Sequence, residues 1–263
     1  LADNETAYFL WSNFLGPWTR RGLIKSIGTY HGLLIVGKMQ ARLMKELLRD
    51  KMPPYWIIYN GVPEKKLEGS STALANKKLR ILLIAHGPSG WRTWYKGLDL
   101  WMETLEKLSY KLSGVEGWVV GQWQEEEIQR LLRLYPKAPV QFLGAMQDVT
   151  QVVKEANLYL HLGRGEAWGL AVLEAMAMGV PAIVSEYTGA AEVVEQVWTE
   201  GVVPLSADLA AEAVLRYFSL SEAERRALSE KGQTLIREKY RLSQAIETFQ
   251  AAFSEALKVV GLR

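Results

Sequence analysis

The sequence predicts an α/β fold in which a parallel sheet is covered by helices on both faces. Three observations carry this. From about Leu79 onward, short apolar runs alternate with segments of helical period. The runs are apolar nearly throughout, as strands buried on both faces are. The segments between them start or stop on the residues that begin and end helices. Strand and helix in this alternation build βαβ units.

The elements follow in order. Leu79–His86 reads as a buried strand. Leu98, Trp101, Met102, Leu105 and Leu108 recur at the spacing of one helix face. Gly117–Gly121 is a second strand. Glu125–Tyr135 is a helix with three acids in its first turn, favourable to the macrodipole, and Pro136 stops it. Val140–Leu143 is a third strand, Asp148 opens a short helix to Ala156, and Leu158–Leu162 is a fourth strand. Trp168–Met178 is a helix closed by Gly179 and Pro181. Pro181–Ser185 is a fifth strand, Ala190–Trp198 a helix, and Val202–Leu205 a short last strand. A Rossmann-like sheet of this kind binds ligands at the carboxyl ends of its strands.

The tail reads as helical. Ser221 with Glu224 forms a capping box for a helix to about Lys239. Ile246, Phe249, Phe253, Ala256, Leu257 and Val260 form an apolar stripe on a last helix, Ser243–Val260, and that stripe needs cover. Residues 1–60 are different. Tyr8–Trp18 is aromatic-rich and irregular; Gly32–Gly37 is a strand, Lys38–Arg49 a helix and Tyr55–Tyr59 a strand. That is the closing βαβ portion of an α/β domain, followed by a linker at Asn60–Ser71. The expected division is 1–60, the end of an N-terminal α/β domain; 61–240, the main domain; and 241–263, a helix crossing back to the N-terminal portion. Residue 1 is Leu rather than Met, so the chain is expected to be trimmed, with its natural start upstream.

Composition narrows the function. The 263 residues carry 31 Lys and Arg against 29 Asp and Glu, a net charge of +2. That balance argues against a nucleic-acid partner, which would need a concentrated basic surface. The absence of cysteine removes disulfide scaffolds, thiolate nucleophiles and Cys-based metal centres. It fits a reducing compartment, and the expectation is a cytoplasmic protein. The apolar runs fall far short of the ~20 residues of a bilayer span. Trp11–Lys25 mixes Trp, Phe and Leu with Arg20, Arg21 and Lys25. It suits either an anionic membrane surface or an apolar surface covered by protein, and the second reading is preferred. His86 and His161, at strand ends, read as satisfied structural histidines. Asn4-Glu5-Thr6 matches a glycosylation sequon, a short match of little weight.

The chemistry concentrates in Gly163–Gly179. Glu166 falls in the strand-to-helix loop and Glu174 about two turns into the helix. Between them Trp168, Gly169 and Leu170 supply the free amides of a helix start, which favour a phosphate or another anion. Gly169 permits close backbone approach. Two carboxylates flanking an anion site suit departure of a phosphate better than they suit a glycosidase acid–base pair, the other reading of paired acids.

This stretch resembles the retaining glycosyltransferases of family 4, which have the two-domain GT-B fold. Glu166, Trp168, Gly169, Glu174, Ala175, Met176, Ala177, Gly179 and Pro181 match the family's pattern of Glu, aromatic, Gly, a second Glu, then Ala-Met-Ala-x-Gly-x-Pro. Tyr59-Asn60-Gly61-Val62 resembles its Asn-Gly-Val, Lys96-Gly97-Leu98-Asp99-Leu100 its Lys-Gly-x-x-x-Leu, and Phe142-Leu143-Gly144 the strand end beside the nucleotide base. Ser185 through Glu192 resembles its Ser-x-x-x-Gly-Gly-x-x-Glu. The chain departs from the family at His86–Arg92, where Gly-Arg is usual, and Arg92 is the candidate substitute. It departs also at Gly189-Ala190 for Gly-Gly and Leu162-Gly163 for Pro-Ser.

The resemblance implies roles. Glu174 would bind the nucleotide ribose and Glu166 the hydroxyls of the donor sugar. Lys96 and Arg92 would neutralise the diphosphate leaving group. The loop at Ala167, Trp168, Gly169 and Leu170 would hold the distal phosphate, with Gly144 near the base. It implies no cofactor beyond a nucleoside-diphosphate sugar as co-substrate, no metal, and a sugar, lipid or small-molecule acceptor. Most of the family's N-terminal domain, with its glycine-rich loop and catalytic His, has no counterpart here, and His31 is not given that role. The expected activity is hexose transfer with retained anomeric configuration. The alternatives are a nucleotide-sugar-binding module without transfer of its own, and, more weakly, a sugar-nucleotide epimerase.

Overall fold

A small βαβ unit opens the described part of the chain. After helix α1 (Pro17–Ile27), strand β1 (Leu33–Val36), helix α2 (Gly37–Leu48) and strand β2 (Tyr55–Ile58) follow, with β1 and β2 parallel in register Leu33 to Tyr55. Ile27, Ile35, Ala41, Met44 and Leu48 close a core beneath them. The structure, a computed structural model, describes residues 17–68, 78–87, 90–259 and 261. The sequon at 4–6, the stretch Tyr8–Gly16, the end of the 60–71 linker, Pro88-Ser89 and Val260 lie outside the described residues. Of the apolar-cationic segment Trp11–Lys25, the part from Pro17 onward belongs to helix α1.

The main sheet has six parallel strands: β3 (Leu79–Ile84), β4 (Val115–Val120), β5 (Val140–Gly144), β6 (Leu158–His161), β7 (Ala182–Ser185) and β8 (Val202–Val203). Their order is β5-β4-β3-β6-β7-β8. The sheet thus grows outward in both directions from β3 and β6. The crevice between their carboxyl ends is the switch point at which such sheets bind ligands. The helices between strands are α3 (Gly90–Tyr95), α4 (Leu98–Ser109), α5 (Glu125–Leu134), α6 (Thr150–Glu155), α7 (Leu170–Ala177), α8 (Ala191–Val197) and α9 (Ala207–Ser219), and α10 (Glu222–Lys239) and α11 (Leu242–Val259) end the chain.

The two faces of β3 show why the runs are apolar throughout. Ile81 and Leu83 point into a core with Trp101, Leu105, Val214 and Tyr217, whereas Leu82 points into a second core with Val172 and Met176. All of these side chains are buried, and each large one contributes roughly 1.5–3 kcal/mol. Gly117 in β4 makes room for this packing, because a Cβ there would collide with Leu105. The expected α/β class, a parallel sheet flanked by helices, is the observed one.

Two of the helices that follow β3 were not individually expected from the sequence. Gly90–Tyr95 is one, too short to show a 3.6 period. Ala207–Ser219 is the other, opened by Ser206, whose side chain accepts from the Leu209 amide. Asp148 lies just outside its helix, and its carboxylate accepts from the Thr150 amide at 2.9 Å.

A crossing segment ties the two sheets. Val62 donates to Tyr240 (2.7 Å) and accepts from Leu242 (2.9 Å), and Glu64 accepts from the Ser243 amide at 3.0 Å. Helix α11 then lies against β2. Its apolar stripe is only partly covered: Ile246, Phe249 and Phe253 remain 43–47% exposed.

Candidate functional site

The site forms where β3 and β6 part. The chain leaving β3 carries Arg92 on α3 and Lys96 just after it; the chain leaving β6 carries Glu166. Lys96 and Glu166 meet in an ion pair, with side chains 16% and 20% exposed. Gly97 brings them together. It holds φ +70° at the start of α4, and a Cβ there would overlap the Leu162 carbonyl oxygen. The turn therefore packs its bare backbone on the end of β6, and the preceding lysine is delivered to the loop beyond. Gly97→Ala is expected to lower the melting temperature far more than Gly114→Ala. Gly114 has a similar φ of +75° but open space around it, so its loss should be only about 1–2 kcal/mol. Equal losses in thermal melts would show that the contact with Leu162 is unimportant.

A second device fixes the same two walls. The Arg164 guanidinium donates to both Asp99 oxygens at 2.8 Å and to the Trp94 carbonyl, and lies 4.9 Å from the Trp94 ring. The Arg164 amide donates to Tyr95, and the Tyr95 hydroxyl donates to the Gly165 carbonyl at 2.7 Å. A bidentate fork of this kind is stiff as well as strong. Trp94 is thus in contact with Arg164. Arg164 was not singled out from the sequence, since Asp99 is 65 residues away.

The loop 163–169 is held from beneath by the segment after β7. The Gly189 amide donates to the Glu166 carbonyl at 2.7 Å, and a side chain at Gly189 would run into Ala167. The Ser185 hydroxyl donates to the Gly163 carbonyl and lies 3.1 Å from the Thr188 hydroxyl. Ala167 is fully buried. Trp168 turns its ring inward, 5.1 Å from Tyr59 and 5.9 Å from Tyr240, with its indole N–H on the Asn60 carbonyl at 2.8 Å. Gly169, at φ +79°, starts α7; the Val172 amide donates to the Gly169 carbonyl at 2.9 Å, and the amides of Leu170 and Ala171 precede that first bond of the helix.

Glu174, one turn into α7, is not part of the Lys96 pair. It meets Lys66, from the crossing segment, at 3.2 Å. Lys66 is a residue that sequence reasoning passed over; only the tertiary fold brings it to Glu174. Gly144 ends β5 at φ +73° and accepts from the Gly121 amide at 2.8 Å. Glu192, the last residue of the Ser185–Glu192 match, accepts from the Lys38 amide at 3.3 Å with both oxygens, at the start of α2. Burial raises its pKa against the pull of Lys38.

The electrostatics centre on Glu166. Burial pushes its carboxyl up, but Lys96, His161 and Arg92 together hold it below the usual range. His161 corrects the sequence reading. It is buried as expected, but neither ring nitrogen has a hydrogen-bond partner, so it is not a satisfied histidine. Its Nε2 stands 4.0 Å from Glu166 Oε2, and burial lowers its pKa to about 4, with Lys96 adding to the drop and Glu166 opposing it. No group of three or more metal-ligating His, Asp or Glu occurs among the described residues. No helix among them is long and apolar enough to cross a membrane.

Known proteins share this architecture. An uncharacterized glycosyltransferase of Haemophilus influenzae is 26% identical over 187 residues, covering 70% of this chain and 51% of its own. The chain thus spans about half the length of that curated relative. Sucrose-phosphate synthase from Thermosynechococcus elongatus superposes with a TM-score of 0.76 at 17% identity, covering 95% of this chain and 65% of its own. HepE of Anabaena, solved in complex with UDP and glucose, superposes with a TM-score of 0.72 at 16% identity, covering 97% and 70%. These likenesses show a GT-B type fold. The sequence profile described as "Glycosyl transferases group 1" matches residues 80–219, from the first main strand through α9 and so across Lys96, Glu166 and Glu174. With just over half of its residues inside that profile, the chain belongs to the group 1 glycosyl transferases.

Proposed function

We propose that this chain forms the donor side of a retaining, family 4 type hexosyltransferase that uses a nucleoside-diphosphate sugar without a metal. The observation that carries the reading is the Lys96–Glu166 pair at the switch point, beside the first amides of α7. A lysine already held over this crevice, with Arg92 acting on the same carboxylate, suits a diphosphate. As the bond from sugar C1 to the phosphate oxygen breaks, its electron pair goes to the diphosphate. Fixed cations and amide dipoles aimed there stabilise that charge by several kcal/mol. The acceptor hydroxyl oxygen then bonds to C1 on the face the leaving group vacates, and its proton passes to the released diphosphate oxygen. In this reading Glu166 orients the sugar hydroxyls, Glu174 takes the ribose hydroxyls in exchange for Lys66, and Gly144 borders the base. The UDP bound to HepE supports a uridine donor as the first to try. The acceptor is a sugar, a lipid or a small molecule, and the site of action is the cytoplasm.

The test is a thermal-shift screen with UDP, GDP, ADP and TDP and their common sugars. A ligand specific for the native state raises the melting temperature by mass action. One base should give a clear shift that Glu174→Ala weakens at least tenfold in titration. No shift with any nucleotide, or equal binding by the variant, would overturn the site. Binding without transfer to any acceptor would leave the chain a donor-binding module.

A further inference from the structure

A diphosphate in the crevice would compete with Glu166 for the Lys96 ammonium. In the free protein that ammonium is engaged by Glu166. If the donor reading is right, on which this inference rests, the diphosphate draws that ammonium away. Glu166 is then a largely buried carboxylate that has lost its nearest cation, a costly state unless another donor replaces it. The fold has placed one candidate there. His161 ends β6, is 3% exposed, and holds two ring nitrogens without partners. Its Nε2 is 4.0 Å from Glu166 Oε2, little more than 1 Å beyond the ~2.8 Å of a charge-assisted hydrogen bond. Gly163 keeps that approach open, because a Cβ there would lie 2.6 Å from Nε2.

We propose that His161 is a positioning residue of the donor site, which takes a proton from solvent as the nucleotide sugar binds and holds Glu166 through an Nε2–H donor in place of Lys96. The charges balance. Before binding, Lys96 and Glu166 neutralise each other and His161 is neutral. After binding, Lys96 pairs with the diphosphate and the new imidazolium pairs with Glu166. The groups facing His161 allow this. Glu166 from the following loop favours the imidazolium, and Lys96 from the α3–α4 turn opposes it. Arg92, on α3, acts on Glu166. The Tyr159 hydroxyl, on the same strand, is held by Ile84 at the end of β3. The Ser185 hydroxyl, at the end of β7, is taken by Gly163. Burial is the larger cause that keeps His161 neutral, and withdrawing Lys96 leaves the unpaired Glu166 to offset it.

The measurement is calorimetric titration with UDP-glucose, GDP-mannose and ADP-glucose in buffers of different ionisation enthalpy, from pH 5 to 8. Each phosphate in these ligands is esterified, so the ligand itself takes up no proton in that range. The tightest of the three should bind with uptake approaching one proton, and its affinity should rise up to about tenfold per unit of falling pH. His161→Gln should remove the uptake and flatten the pH dependence. Only three histidines occur in the chain, so ring NMR of the wild type reads the same event without any variant. Saturating ligand should convert one ring to the imidazolium. Binding without uptake, or uptake that persists in His161→Gln and so belongs to Glu166, overturns the role of His161 and leaves the donor reading intact. No binding by any of the three overturns both.

Discussion

Lys96→Met is expected to cost roughly 3 kcal/mol of stability at neutral pH and to abolish nucleotide-sugar binding. Methionine keeps the apolar stem and removes only the ammonium. What remains is the Glu166 carboxylate, 20% exposed. Removing one partner of a buried pair is far worse than removing both, because the survivor is left desolvated. The double variant Lys96→Met, Glu166→Gln should therefore regain most of the loss without regaining the ligand. The pH dependence has a definite sign. Glu166 titrates below the ordinary value of 4.5 in the folded chain. Its contribution is thus present above about pH 4.5 and lost as the pH falls through its folded pKa. The gap between wild type and Lys96→Met should accordingly close in acid. Urea unfolding of the wild type, both single variants and the double variant measures all of this. A single variant within 0.5 kcal/mol of wild type, or a double variant no better than Lys96→Met, would mean that the pair is solvated and marginal.

The pair itself shows what the sequence could reveal. Period and punctuation were enough for the strands of the main sheet, because a run such as Ile81–Ile84 is apolar for one reason, burial on both faces. The same reasoning placed Glu166 in a loop after a strand and Glu174 on the helix that follows. What could not be read was which cation each acid meets. The two acids are eight positions apart, yet one takes Lys96 from the turn before α4 and the other Lys66 from the crossing segment. These partnerships are set by strand order and by two close backbone contacts, Gly97 on Leu162 and Gly61 on Arg241. Such contacts leave only a glycine in the sequence, which local reading cannot tell from a turn. The Lys-Gly and Asn-Gly pairs of the family resemblance were the visible trace of them. Helix α3 was missed for a plainer reason: six residues, three of them aromatic, show no period.

His161 marks the deeper limit, and it leads to the second large effect. Its place at the end of an apolar run predicts burial, which is observed. Burial says nothing of partners, and the imidazole has none. A group in this state titrates near 4 when folded against 6.5 in the unfolded chain. Between those values the unfolded chain binds the extra proton, so folding loses stability as the pH falls from about 6.5 to about 4. The gap corresponds to roughly 3 kcal/mol, a large share of the 5–15 kcal/mol of an ordinary domain. Carboxylates that titrate low when folded, such as Glu116, add their own loss only below about pH 4.5, so the upper part of the window belongs to the histidine. Comparing urea unfolding of the wild type and His161→Gln at pH 7.5, 5.5 and 4.5 isolates it. The variant should gain on the wild type steadily as the pH drops. Curves that stay parallel would mean that the imidazole is hydrated and titrates normally. Saturating nucleotide sugar should then reverse the sign for the wild type alone, because a proton that costs stability in the free protein becomes part of the bound one.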